Sequence, residues 1–218
     1  MIKFTGTEAI IFKKKYLVIS DLHIGYEIEL LKKGINIPSY VPKLIEKIER
    51  IRRKYNVKNL IICGDVKHNI PKITIFEIKG LKYFLEYISN NFEKIFIAKG
   101  NHDGKIEEIV DKDNIKIVKG LKIGNYVFTH GHRRIKKYEF IIIGHNHPIF
   151  PIRTTIGETF YEKVFVIGET ENGKVMILPA FSDIVGGWEV GNFNGPIAKK
   201  IERYSVYTLD GTLIYENV

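Results

Sequence analysis

Apolar residues along the chain gather in short unbroken runs, and between some of these runs the spacing stretches to that of a helix. YLVIS at 16–20, NLIIC at 59–63, KIFIA at 94–98, YVFT at 126–129 and FIII at 140–143 are the clearest runs. Runs this short, rich in β-branched and aromatic residues, read as strands buried on both faces. Residues 2–12 and 16–20 flank Lys13, Lys14 and Lys15 and read as a hairpin. Over residues 39–55, Val41, Leu44, Ile45, Ile48 and Ile51 recur at helical spacing, with Pro42 suited to the first turn. Glu46 with Arg50 and Glu49 with Arg53 are spaced to pair on the wet face of that helix. A second helix is predicted over about 74–90 and a shorter one over 103–110. Beyond Pro148 the pattern changes to strands at 164–168, 174–178, 204–209 and 212–215, with Asp210-Gly211 as a tight turn between the last two. Strand–helix units followed by antiparallel strands predict one α/β domain over 1–218, two sheets packed face to face with helices outside.

The polar residues that follow the strand-like runs carry the chemistry. Asp21 and His23 follow the first, Asp65, Lys67 and His68 the second, and Asn101, His102 and Asp103 the third. His130 and His132 follow the fourth, and His145 and His147 the fifth, so all seven histidines of the chain lie in these segments. Open α/β sheets bind ligands beyond the carboxyl ends of their strands. Residues two apart on extended backbone point the same way, so Asp21 with His23, and His145 with His147, are expected to reach one ion together. Asp21, His23, Asp65, Asn101, His130, His145 and His147 are too many ligands for one tetrahedral ion but suit two cations sharing a carboxylate. Each motif alone occurs by chance; five in series, each after an apolar run, do not.

Composition narrows the setting. With 218 residues, 44% of them hydrophobic, the chain is long enough for a substantial core. Its single cysteine excludes an internal disulfide and a cysteine-rich zinc module, and Cys63 reads as a core residue. No apolar run approaches the roughly 18 residues of a membrane helix, and Lys13–Lys15 break the first apolar stretch with no cleavage-like segment after it, so no membrane is expected and the chain reads as cytoplasmic. The net charge of +9 favours phosphates and nucleic acids. Abundant Lys, Glu and Ile and the absence of Gln suggest a thermophilic source, for which a melting point above about 60 °C is expected. Lys67 and Arg133 lie close enough in sequence to the motifs to grip phosphate. Trp188, in a Gly-rich segment, reads equally as a ring that stacks on a base or as an anchor for the C-terminal strands.

In order, Asp-x-His, Gly-Asp, Gly-Asn-His-Asp, His-Gly-His and Gly-His-x-His across residues 16–148 resemble the calcineurin-like metallophosphoesterase family. Residues 21–27 (DLHIGYE), 64–68 (GDVKH), 144–148 (GHNHP) and 178–182 (LPAFS) with Gly186 and Gly187 resemble a narrower branch of archaeal and bacterial ligase-associated (PdeM-like) phosphoesterases. The resemblance implies a four-layer α/β/β/α sandwich of two mixed β-sheets flanked by helices. It implies that Asp21, His23, Asp65 and His147 hold one ion, and Asn101, His130 and His145 the second, with Asp65 bridging. His132 is as available as His130 by spacing, and the family pattern favours the first, which leaves His132 as a partner of a ligand or a substrate contact at the rim. His102 would face the substrate as acid or charge stabiliser, with Asp103 orienting its ring. Many relatives carry Asp where His68 stands, which leaves His68 as a partner of a ligand, a substrate contact or a surface residue.

A mixed N and O donor set without thiolate favours two divalent ions, Mn²⁺ first, with Fe, Zn²⁺ or Ni²⁺ as alternatives. The expected reaction is hydrolysis of a phosphodiester or phosphomonoester by direct attack of a metal-bridged hydroxide, on DNA, RNA or a nucleotide. The rival readings are a small-molecule phosphatase and a non-catalytic metal-binding scaffold of the same fold.

Overall fold

A computed structural model of the protein describes residues 1–69 and 75–217. In chain order the elements are β1 (Ile2–Phe4), β2 (Ile10–Phe12), β3 (Tyr16–Ile19), α1 (Tyr26–Lys32), α2 (Val41–Tyr55), β4 (Asn59–Ile62), α3 (Ile75–Asn91), β5 (Lys94–Ala98), β6 (Ile115–Val118), β7 (Leu121–Ile123), β8 (Tyr126–Phe128) and β9 (Phe140–Ile143). They continue with β10 (Pro148–Arg153), β11 (Thr159–Lys163), β12 (Phe165–Thr170), β13 (Gly173–Ile177), β14 (Trp188–Glu189), α4 (Gly195–Ala198), β15 (Arg203–Tyr207) and β16 (Leu213–Asn217).

The first sheet runs β1-β2-β3-β4-β5-β6, antiparallel up to β3 and parallel from β3 onward. The second runs β16-β15-β12-β13-β9-β8-β7, with β13, β9 and β8 parallel and the remaining pairs antiparallel. A small third sheet, β11-β10-β14, adjoins them in sequence.

Strand periodicity explains why the apolar runs are unbroken: both faces of each central strand are covered. Leu17 and Ile19 of β3, and Leu60 and Ile62 of β4, pack with Val41, Leu44 and Ile48 of α2 and Leu81, Phe84 and Ile88 of α3. Their alternates Val18 and Ile61, with Cys63, meet Phe128, Ile142, Phe165 and Met176 of the second sheet. On the far side of that sheet, Ile141, Ile143, Val166, Val175 and Ile177 are covered by Ile197 and Ala198 of α4 and by Ile135, Phe193 and Ile201. The layers are therefore helix, sheet, sheet and helix, with the last layer reduced to a four-residue helix and its flanking loops.

Several expectations are revised. Residues 2–12 form two strands, not one arm of a hairpin, and Lys13 and Lys14 make the β2–β3 turn at φ 50° and 56°. The helix expected over 103–110 shrinks to a 3-10 turn at Ile106–Glu108, started by Lys105 at φ 61°. The helix expected from about residue 74 occupies Ile75–Asn91, and residue 74 lies outside the described residues. On α2, Glu49 pairs with Arg53 and also with Arg52, whereas Glu46 and Arg50 form no ion pair among the described residues. Strands β10 and β11 leave no amphipathic signature because β10 carries two prolines and β11 is exposed at four of its five residues.

Candidate metal centre

The carboxyl ends of β3, β4 and β5 in the first sheet and of β8 and β9 in the second open into one cleft. Into it project three groups of side chains whose donor atoms lie close enough to hold an ion: Asp21 with His23 and His147, Asp65 with His130 and His145, and His23 with His68 and His102. Within the first, His147 Nε2 is 3.1 Å from Asp21 Oδ1 and 3.4 Å from His23 Nε2. Within the second, His130 Nε2 is 3.2 Å from Asp65 Oδ2, 3.1 Å from His145 Nδ1 and 2.9 Å from Asn101 Oδ1. Asp65 Oδ2 is also 3.7 Å from His23 Nε2, so one carboxylate oxygen stands between these two groups. The other oxygen accepts from the His102 backbone N–H at 2.9 Å.

The pairs two residues apart are not presented by extended backbone, as expected from the sequence. Asp21 and His23 stand at φ 56° and 47°, His145 and His147 at 70° and 42°, and Asp65 at 50°, all in the left-handed region. The tight turns follow from backbone pairing across the loops: the N–H groups of Leu22 and His23 both reach the Asp65 carbonyl, and the Asp21 N–H reaches that of Gly64.

Hydrogen bonds fix which ring nitrogen faces the cleft. His130 Nδ1–H donates to the Cys63 carbonyl at 2.9 Å and His147 Nδ1–H to that of Gly186 at 3.1 Å, which turns each Nε2 toward the cleft. Burial pushes the His23 pKa down to about 3, so at neutral pH this ring is uncharged and able to ligate. Burial also opposes charge on His130, but the Asp65 hydrogen bond and the Asp65 and Asp21 charges outweigh it and raise the pKa to about 9. The same carboxylates that favour a proton there favour a divalent cation in its stead. The donor set is all imidazole, carboxylate and amide, and it fits two hard-to-borderline divalent ions.

Other expected site residues fall out differently. Asp103 does not orient His102; its carboxylate accepts the backbone N–H groups of Val66, Lys67 and Gly100, clamping the β4 and β5 loops together. His102 Nδ1 instead meets the His68 carbonyl, and its Nε2 lies 4.0 Å from Asp65 Oδ2. Lys67 is fully buried, and its ammonium reaches the Asn69 carbonyl, not an open cleft; burial lowers its pKa. His132 stays outside these groups, 5.2 Å ring to ring from His130, and neither of its nitrogens is hydrogen-bonded among the described residues. Arg133 is exposed on the loop after His132. Trp188 is 64% exposed, so it is not a buried anchor, and its backbone N–H donates to the carbonyl of His147. His68 contacts His23, with 3.2 Å between their Nδ1 atoms, and Glu29, with 2.7 Å from Nε2 to Oε2. Glu29 escaped the sequence reading; the spacing of Tyr26, Glu29 and Lys33 on one helix face was the available signal.

Two mixed sheets that bring carboxylate, amide and imidazole donors together at their strand ends define a metal-dependent phosphoesterase. The chain belongs to the calcineurin-like phosphoesterase family, whose sequence model matches residues 14–171. Its fold is similar to that of nuclease MPE from Pseudomonas putida, at TM-score 0.66 and 20% identity over 96% of this chain and 92% of that one. Yfce, a phosphoesterase from E. coli, is matched at TM-score 0.45 and 13% identity over 93% and 97% of the two chains. Among curated proteins none matches the chain. Among the described residues no helix is long and apolar enough to cross a membrane.

Proposed function

We propose that the protein hydrolyses phosphodiester bonds in nucleic acid or a nucleotide, using two divalent cations, with Mn²⁺ as the preferred ion. Asp21, His23, Asp65 and His147 hold one cation, and Asn101, His130 and His145 the other, with Asp65 shared. The observation that carries this reading is the position of Asp65 Oδ2, within 3.2 Å of His130 Nε2 and 3.7 Å of His23 Nε2, one from each group. Bound cations supply an activated water and neutralise the phosphoryl oxygens. The chain's own residues do the rest. Asn101, a neutral donor, adds no charge to repel the substrate. The His102 side chain is 26% exposed where that of His23 is 4%, so it stands at the mouth of the cleft, able to meet a phosphoryl oxygen or protonate a leaving group. The net charge of +9 and the likeness to a nuclease support a nucleic-acid substrate, with Arg133 and Trp188 as contacts beside the cleft.

The test is hydrolysis by Mn²⁺-loaded protein of bis-p-nitrophenyl phosphate, p-nitrophenyl phosphate, cyclic nucleotides and single- and double-stranded DNA. Diester cleavage is expected, reduced by more than about 100-fold in Asp65→Asn, beyond the usual loss from a merely supporting group. Two bound cations with no hydrolysis of any substrate would overturn the reading in favour of a scaffold.

A further inference from the structure

His130 and His147 each have their outward nitrogen fixed by a backbone carbonyl, but His23 is held differently. Its Nδ1 meets a side chain, His68, which in turn meets Glu29 on α1. The order of protons along this chain follows from the acceptor at its end. Glu29 ends it with a carboxylate, which only accepts. His68 Nε2, 2.7 Å from Glu29 Oε2, therefore carries hydrogen. A His23 that ligates through Nε2 carries its one hydrogen on Nδ1, and His68 Nδ1, 3.2 Å away, is placed to accept it. That leaves the lone pair on His23 Nε2, the atom 3.4 Å from His147 Nε2 and 3.7 Å from Asp65 Oδ2.

His68 also reaches the other side of the cleft. Its carbonyl takes the hydrogen of His102 Nδ1, and the two rings stack at 5.4 Å with 23° between planes. The His68 backbone N–H is held by the Ile24 carbonyl and by Glu77 Oε1, both at 3.0 Å, and the Tyr26 ring meets its imidazole edge-on at 4.7 Å. One residue thus touches a proposed ligand through its ring and the proposed acid through its carbonyl.

Resting on the dinuclear reading above, we propose that His68, backed by Glu29, is a positioning residue that sets the tautomer and orientation of His23 and the orientation of His102. Such partners typically govern metal affinity by about 10–100-fold. A competing use of the same atoms exists, because nitrogens of His23, His68 and His102 lie close enough to hold a cation of their own. In that use His68 would itself be a ligand with Glu29 behind it, and the protein would take up a third cation, which a count of bound ions detects.

The experiment compares wild type with His68→Phe, His68→Asn and Glu29→Gln. The readouts are Mn²⁺ stoichiometry and affinity by chelator competition, and the His23 tautomer by imidazole ¹⁵N shifts of the Zn²⁺-loaded protein. His68→Phe keeps a ring but no acceptor, His68→Asn keeps an acceptor near Nδ1, and Glu29→Gln changes a helix that has no fully buried residue. Expected are two equivalents in wild type with His23 protonated at Nδ1. One of the two affinities should weaken about 10–100-fold in His68→Phe and Glu29→Gln, with most of it restored in His68→Asn. Equal affinities and an unchanged His23 tautomer in all variants would overturn this inference alone. Three equivalents in wild type and two in His68→Phe would make His68 a ligand and overturn it differently. A wild-type protein that takes up no cation would sink the dinuclear reading, and this inference with it.

Discussion

At the scale of the residue, the cleft is built from backbone that most side chains avoid. Asp21, His23, Asp65, His145 and His147 occupy the left-handed region, which costs an L-residue roughly 1–2 kcal/mol. Strain of this kind persists only where the surroundings over-determine it, and here ladder-like hydrogen bonds between loops do so. Two glycines make room for the result. A Cβ on Gly100 would overlap the Asp65 carboxylate and backbone nitrogen, and one on Gly144 the Asp21 carboxylate and the Ser20 side chain. Gly100→Ala and Gly144→Ala should each cost about 1–3 kcal/mol, the range for overpacking, and both should lose cation binding. Gly104→Ala, with open space around its Cβ position, should do neither. Denaturant midpoints and metal titrations of the three variants check this. The identity of these side chains was legible in the sequence, since each follows a strand. Their presentation was not: alternation assumes extended backbone, and a left-handed turn leaves no mark on Asp or His beyond the glycine nearby. The true work of Asp103 was hidden for a related reason, because its partners are backbone N–H groups that any sequence would supply.

At the scale of the element, legibility follows burial. Helix α2 is plain in the sequence because Val41, Leu44, Ile48 and Ile51 are all buried at helical spacing. Helix α1 is not, because none of its residues is buried, and so the element that carries Glu29 went unseen. The α2–α3 contact offers a test that depends on pH. Glu49 accepts from Arg52 at 2.7 and 2.8 Å, from Arg53, and from Tyr87 of α3 at 2.5 Å. The Arg52 hydrogen bonds, with Tyr87 and Arg53, lower its pKa from 4.5 to about 2. A depressed folded-state pKa contributes stability that is fully present above the unfolded value and is lost as pH falls through the folded one. Wild type should therefore lose stability between pH 4.5 and about 2 partly through this group. Glu49→Gln should be less stable at neutral pH and flatter across that window, as read from denaturant melts at a series of pH values. Because Arg53 is 77% exposed, its part of the effect should shrink with added salt.

At the scale of the whole molecule, distant segments are tied to the cleft floor. Lys47 of α2 lies 2.6 Å from Glu8 and 2.9 Å from Asp183, and Lys163 of β11 joins the same carboxylates at 3.4 and 3.5 Å. Lys163 also donates to the carbonyls of Ala180 and Ser182, and the N–H groups of Phe181 and Ser182 reach the carbonyls of Ser20 and Asp21. The segment 178–182, noticed in the sequence only as a likeness, thus braces the loop that bears Asp21.

The proposed ligands come from both sheets: Asp21, His23, Asp65 and Asn101 from the ends of one, His130, His145 and His147 from the ends of the other. Neither sheet alone owns a complete set for either cation. Two bound ions would then be staples across the seam where Val18 and Ile61 meet Ile142 and Met176. Occupancy should raise unfolding stability by about 2.7 kcal/mol per site at 100 times Kd, and chelation should remove it. The linkage runs in both directions. Met176→Ala, at a seam residue that is not a proposed ligand, should loosen the seam and lower cation affinity; affinity unchanged alongside a clear loss of stability would show that the two sheets dock independently of what they hold between them.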